Sequence, residues 1–358
     1  MRVFASDRHR AHAPQHEIES SGLQDPFEHP GRADSIRAAL DADDRFDVIE
    51  PPVSGTMSIT SVHDAGLVRF LETAWSEYQR DVGARHDVVP DVFAVGGLRE
   101  GMGDGVEPKR VAARLGWWCF ETTTPLTEGT YDAACSAADA AVAAASAVMG
   151  GERTAYALCR PPGHHATRSL YGGYCFFNNA AIAAQHLVDA GAGRVTVLDV
   201  DYHHGNGTQQ LLYDRGDVQF VSLHADPDRA YPYHTGFADE TGAGAGRGTN
   251  LNLPLDAGVA DEEYLDVLGR ACEAIDAFDP AAVVVSLGVD TFVGDPMCDL
   301  ALTTDGFERC GRAVGALGRP MVVVQEGGYA VSELGENVRR WLLGAAADIR
   351  PLPSEPSR

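Results

Sequence analysis

Between Val195 and Thr208 the chain reads VTVLDVDYHHGNGT, an apolar, largely β-branched run that stops at Asp199 and gives way to carboxylates, imidazoles and glycines. Asp199, Asp201 and His203 fall at every second position. If the chain stays extended past the strand end, that spacing puts their side chains on one side. A carboxylate and an imidazole two residues apart can grip one ion while the neighbouring acid braces them. A polar turn after a buried strand would explain a lone Asp or His; two of each between Asp199 and His204, followed by Gly-Asn-Gly, point to a site. A second pair of imidazoles, His164 and His165, follows Pro161-Pro162-Gly163. Tandem histidines are often accidental, but behind a stiff turn and facing a metal they are candidates for general acid–base work. Asp290 follows Ser-Leu-Gly-Val and is a candidate third ligand. Tyr329 follows Glu326-Gly327-Gly328, where glycine backbone lets a phenol reach inward.

These groups can meet only if the strands that end at them lie side by side. Thr154–Cys159, Val195–Leu198, Val218–Leu223, Val283–Leu287 and Val322–Val324 are short apolar runs of strand type, and each ends in polar residues. Helices are predicted between them over Asn178–Ala190, Asp261–Phe278 and Thr304–Leu317. Upstream, strands over Val3–Ala5 and Phe46–Ile49 flank a helix over Ala33–Leu40. His63 to Tyr78 has apolar residues at helical spacing, and His63 reads as a helix-start residue rather than a ligand. The alanine-rich Tyr131–Gly151 is a helix with a glycine stop. The alternation predicts an α/β single domain over residues 1–349, with a mainly parallel multi-stranded sheet flanked by helices and ligands gathered outside the carboxyl ends of its strands. Residues 350–358 read as a flexible tail, and Glu17–Pro30 as an irregular surface loop of the kind that lines a site mouth. Arg85–Trp118, with glycines at 96, 97, 101, 103 and 105, reads as a long ordered insertion.

The 358 residues carry 28 Lys plus Arg against 52 Asp plus Glu, a formal net charge of −24. That charge argues against binding nucleic acid through its phosphates. No signal core opens the chain, and no later run reads as a membrane span, so a cytoplasmic protein with no membrane partner is expected. Seven scattered cysteines, never spaced C-x-x-C, read as reduced small hydrophobes rather than a disulfide framework or cysteine zinc site.

The ordered motifs DPFEHPGRAD, VHDAG, LCRPPGHHA, GGYCFFNNAA, LDVDYHHGNGTQ, VSLGVDTF and EGGY run over nearly the whole chain. In them the sequence resembles the arginase–deacetylase superfamily, and within it the histone deacetylase family, nearest the bacterial acetylpolyamine amidohydrolases and class II-like deacetylases. The resemblance implies hydrolysis of an acetyl-amide by metal-activated water, on a small acetylated amine or acetyl-lysine-like substrate. It implies one Zn2+ per chain held by Asp201, His203 and Asp290, and a K+ or Na+ near Asp199, Asp201, His203, Ser222 and Leu223. His164 and His165 would be the histidine pair, with Asp199 behind the first and Asn206 near the second, and either could be the proton shuttle. Tyr329 would be the phenol that polarises the carbonyl. Gly173, Tyr174, Tyr231, Trp117 and Trp118 would line a narrow substrate tunnel. The 85–118 insertion corresponds to one that closes a homodimer in polyamine-type relatives.

Dinuclear ureohydrolases of the same scaffold carry further carboxylates where this chain has Gly205 and Gly288, which argues against two metals. An inactive binding protein is a further alternative, but every inferred catalytic residue is present. Ala112 and Arg110 stand where polyamine-selective relatives carry acids. They predict a substrate that is neutral or anionic at its far end and poor handling of acetylpolyamines, with true acetylpolyamine hydrolysis as the alternative. Under that alternative Glu17 and Glu107 would supply the cation site.

Overall fold

The computed structural model describes residues 1–83, 87–103 and 105–347; the tail expected at 350–358 lies outside the described residues. The chain begins with β1 (Arg2–Phe4), the strands β2 (Glu17–Glu19) and β3 (Gly22–Gln24), α1 (Gly31–Asp41) and β4 (Asp47–Ile49). Four helices follow, α2 (Thr56–Thr60), α3 (Ala65–Asp81), α4 (Val111–Trp118) and α5 (Thr130–Met149). Then come β5 (Thr154–Ala157), α6 (Asn179–Asp189), β6 (Val195–Asp199), α7 (Asn206–Leu212), β7 (Val218–Ala225) and β8 (Asn250–Leu255). The chain closes with α8 (Asp261–Phe278), β9 (Ala282–Leu287), α9 (Thr304–Gly315), β10 (Met321–Gln325) and α10 (Val331–Ala347).

Eight strands form one sheet in the order β4-β1-β5-β10-β9-β6-β7-β8, every pairing parallel. The five strands whose ends bear the candidate site residues, β5, β10, β9, β6 and β7, are therefore contiguous, and their carboxyl ends open on one crevice. Both faces are covered, which is why the strands read as unbroken apolar runs rather than alternating ones. On β10, Val322 and Val324 pack into the core shared with α3, α5 and α6. Met321 and Val323 pack into the core shared with α1, α8, α9 and α10. Full burial of one such aliphatic side chain contributes about 1.5–3 kcal/mol.

The fold departs from expectation in four places. Glu17–Pro30 holds an antiparallel hairpin, with Glu17 opposite Gln24. β8, reading NLNLPL, joins the sheet at its edge, where Pro254 is tolerated because only one neighbour needs hydrogen bonds. α5 is long and apolar enough by composition to cross a membrane, but 72% of that stretch is buried inside the fold against α6 and the sheet. His63 precedes α3 rather than starting it. Asp64 caps the helix by accepting from Gly66 N at 2.6 Å, while His63 is buried, with Nδ1 2.8 Å from Thr167 O and Nε2 accepting from Asn178 N at 2.8 Å.

Candidate active site

Asp199 is the last residue of β6, and the chain then turns through linked side-chain caps. Asp199 Oδ1 accepts from Asp201 N at 3.1 Å, and Asp201 Oδ1 accepts from His203 N at 2.9 Å. Asp290, beyond β9, accepts from Tyr202 N at 2.9 Å, and Asp201 Oδ2 accepts from Gly327 N, beyond β10, at 2.7 Å. Three strand ends are thus stitched together by two carboxylates. His203 Nδ1 lies 3.3 Å from Asp201 Oδ1 and 3.1 Å from Asp290 Oδ2, and one donor atom from each residue lies within 4.8 Å of the others.

The donor set fits a divalent metal: two carboxylates and one imidazole converge with all three residues buried. Burial and the neighbouring Asp201 push Asp290 up to about 7. The surroundings leave no room for a larger side chain. A Cβ at Gly288 would stand 2.1 Å from Asp201 Oδ2, and one at Gly327 would stand 2.4 Å from Asp290 Oδ2. At Gly205 a Cβ would meet Asp199 Oδ2 at 2.3 Å. The two positions that a dinuclear site would fill with carboxylates are thus closed, Gly288 by Asp201 and Gly205 by Asp199.

The histidine pair divides by partner. His164 Nδ1 lies 3.0 Å from Asp199 Oδ2; burial opposes its charge, but the Asp201 and Asp199 carboxylates outweigh it and push the imidazole up to about 10. His165 Nδ1 lies 2.6 Å from Asn206 Oδ1. An amide oxygen only accepts, so Nδ1 carries the proton and Nε2 is left with its lone pair. Burial, then His164 and His203, hold His165 well below the usual histidine range. The loop bearing both rings is pinned from beneath: Glu326 Oε2 accepts from Gly163 N at 2.6 Å and His164 N at 3.1 Å, and Asn178 Nδ2 donates to Ala166 O at 3.2 Å.

A cavity of about 410 Å³ opens onto this centre, and His165, His203, Tyr329, Gly173, Tyr174 and Tyr231 are in its wall. The Tyr231 ring stands edge-on to His165 with centroids 4.9 Å apart. Gly173 has φ +59 and brings the backbone against the imidazole, where a Cβ would stand 2.4 Å from His165 Cδ2. Tyr329 stands edge-on to Tyr174, with the Arg32 guanidinium 4.6 Å from its ring centre. Burial holds its phenol well above 10, so at neutral pH it is an O–H donor. Ser222 and Leu223 lie on β7, with Ser222 in register with Asp199.

Trp117 and Trp118 do not line this cavity. Trp118 is buried against Phe70 and donates to Glu107 Oε1 at 2.9 Å, while Trp117 lines a separate groove with Val92, Phe93, Pro108 and Ala112. Arg110 immediately precedes α4 on the exposed surface, and Arg114 is held by Glu77 at 2.9 Å and Glu107 at 2.8 Å. The charged residues in the cavity wall are instead Glu19, Glu121 and Arg229, and Arg229 is paired with Asp299 at 2.7 Å. Glu19 sits on the hairpin that reads as an irregular loop in sequence, and Glu121 carries no motif; neither has a signal of its own type. Glu17 lies beneath them, buried, with one oxygen accepting from Gln24 at 2.9 Å and the other unpaired, and burial pushes it up to about 7.

Residues 26–344 match the histone deacetylase domain. The chain is 44% identical over 344 residues to acetylpolyamine amidohydrolase 2 of Pseudomonas aeruginosa, covering 96% of this chain and 98% of that protein. It is 42% identical over 346 residues to the acetylpolyamine amidohydrolase of Mycoplana ramosa, covering 97% and 100%. The crystal structure of an acetylpolyamine aminohydrolase from Burkholderia pseudomallei superposes with a TM-score of 0.89 at 40% identity, covering 97% of this chain and 99% of that one. A match of this extent, on a parallel sheet whose strand ends assemble the Asp-His-Asp centre and the histidine pair, shows that the chain belongs to the histone deacetylase family.

Proposed function

We propose that this protein is a single-zinc deacetylase whose substrate is a small acetylated amine with a cationic tail, of the acetylpolyamine kind that its relatives are named for. The observation that carries the substrate class is the cavity wall, where Glu19 and Glu121 face a lone Arg229 already neutralised by Asp299. Arg110, whose charge argued for a neutral or anionic tail, stands on the open surface and is not in the cavity wall. The alternative reading of the substrate therefore replaces the first. A single acid half exposed at the mouth adds about 0.2–1 kcal/mol of attraction for a protonated amine.

Asp201, His203 and Asp290 would hold the zinc. When bound there, it supplies Lewis-acid polarisation of the acyl oxygen and a lowered pKa for water. The remaining work falls to side chains. His165, with Nε2 unprotonated and its ring in the cavity wall, takes the proton from the attacking water and returns it to the leaving nitrogen. His164, with Nδ1 3.0 Å from Asp199 Oδ2, stays behind it and is oriented by that carboxylate. The Tyr329 hydroxyl donates to the carbonyl oxygen as negative charge gathers on it. A monovalent cation near Asp199, Ser222 and Leu223 belongs to the same reading. So does a homodimer through the insertion, where Val92, Val95, Leu98, Met102 and Val106 stand exposed. The free cysteines suit a reducing cytoplasm.

The test is turnover of N-acetylputrescine and a neutral acetyl-lysine amide by purified protein, with elemental analysis. One divalent metal per chain and a higher kcat/KM for the acetylpolyamine, lost in part in Glu19→Gln, are expected. Preference for the neutral amide would overturn the substrate class. Two metals per chain with urea released from agmatine would overturn the deacetylase reading.

A further inference from the structure

Tyr329 is asked to hold a hydroxyl where charge develops, yet among the described residues no side chain hydrogen-bonds that hydroxyl. The ring is therefore placed by its own backbone and by the faces it packs on. That backbone is clamped from two sides. On the carbonyl side, Arg32 Nε donates to Gly328 O at 2.6 Å and Arg32 Nη2 to Glu326 O at 2.6 Å. On the amide side, one carboxylate oxygen, Asp295 Oδ2, accepts from both Tyr329 N at 2.6 Å and Ala330 N at 3.0 Å. Its other oxygen accepts from Met297 N at 3.0 Å. Asp295 is buried and belongs to the loop after β9 that also carries Asp290 and, two residues on, Met297 of the cavity wall. Its own N–H is engaged with Phe292 O at 2.9 Å, so the loop cannot slide without breaking these bonds.

A buried carboxylate with three backbone donors and, among the described residues, no side-chain cation hydrogen-bonded to it is costly unless all three bonds are kept. It ties the loop of a candidate metal ligand to the loop of the phenol at a fixed spacing. We propose that Asp295 is a positioning residue for Tyr329, setting the reach of the phenol relative to Asp290; this rests on the proposed role of Tyr329. Arg32 also touches the Tyr329 ring face, so its removal would change two things at once, whereas Asp295 meets Tyr329 only at the peptide.

The test is a double-mutant cycle on a slow amide substrate. Tyr329→Phe is expected to lower kcat by about 10²–10³-fold with little change in KM. Asp295→Ala is expected to lower kcat by about 10²-fold, again with little change in KM, because a small misplacement of the reacting group suffices. In the Tyr329→Phe background Asp295→Ala should add no more than about twofold. Asp295→Asn keeps an acceptor for the Tyr329 and Ala330 amides and should recover much of the loss. Hydrogen exchange at those two amides should quicken in Asp295→Ala and not in Tyr329→Phe. Full additivity of the two losses, or an impaired Tyr329→Phe beside an unimpaired Asp295→Ala, would overturn the inference alone. A wild-type kcat in Tyr329→Phe would instead overturn the role of the phenol itself. Should Asp295→Ala fail to fold, the same cycle is read with Asp295→Ser, whose shorter side chain cannot reach both amides, and additivity again overturns the inference.

Discussion

The strand-end crevice and the insertion that follows α3 are built on opposite principles. In the crevice Asp199, Asp201, Asp290 and Glu326 are wholly buried; the last three accept hydrogen bonds from a neighbouring loop, and Asp199 accepts from Asp201 N and lies 3.0 Å from His164 Nδ1. In the insertion Val92 and Leu98 are each 69% exposed and Val106 85%, while the helical structure among its described residues is a short 3₁₀ turn at Gly96–Arg99 and α4. A buried charge tolerates few arrangements, because each lost partner costs about 1–3 kcal/mol. An exposed apolar loop tolerates many, and its one common need is a surface to cover it. The crevice is therefore where side chains can be held to a fraction of an ångström, and the insertion, whose described residues contribute nothing to the cavity wall, is where the proposed dimer contact can vary.

Substitutions at the two regions should separate chemistry from assembly. The largest effect is expected for Asp201→Ala, which removes a candidate ligand together with the acceptor of Gly327 N and His203 N. Activity should fall by more than the ~10²–10³-fold of a single oxyanion donor, and metal content measured on the dialysed protein should fall with it. Retained metal and turnover would mean the buried Asp-His-Asp set is not the centre.

Asn206→Ala sharpens the comparison within the crevice, because it touches no candidate metal ligand. It removes the acceptor that fixes the His165 tautomer, and kcat should drop about 10- to 100-fold, the range for partners that orient an imidazole. A KM change with kcat intact would assign Asn206 to binding instead.

Leu98→Asp in the insertion should have the smallest effect on chemistry. Light scattering should show the proposed dimer dissociating, while kcat on a neutral acetyl-lysine amide changes by no more than about twofold, as for a surface position. A monomeric wild-type protein, or a large loss of kcat on the neutral amide, would erase the contrast drawn between the regions.

The sequence by itself determined the doubly covered parallel sheet and the residues that cluster at its strand ends. Both follow from short-range rules: unbroken apolar runs such as Val283–Leu287 must be buried on both faces, and polar residues that interrupt them must lie at the ends. The glycines at 205 and 288 also spoke for one metal rather than two, and the clash of any Cβ there with Asp199 and Asp201 is the physical reason. Three things were left to tertiary structure. The hairpin at Glu17–Gln24 has too little apolar surface to announce itself, so Glu19 reached the cavity wall without a signal. The roles of His164 and His165 depend on Asp199 and Asn206, which are 35 and 41 residues away along the chain. Arg110 reads as positive charge near a tunnel, but the fold puts it at the exposed start of α4, outside the cavity wall. A side chain's type is written in the sequence, but its partner across the fold sets its charge and its reach, and that partner is chosen only when the chain is packed.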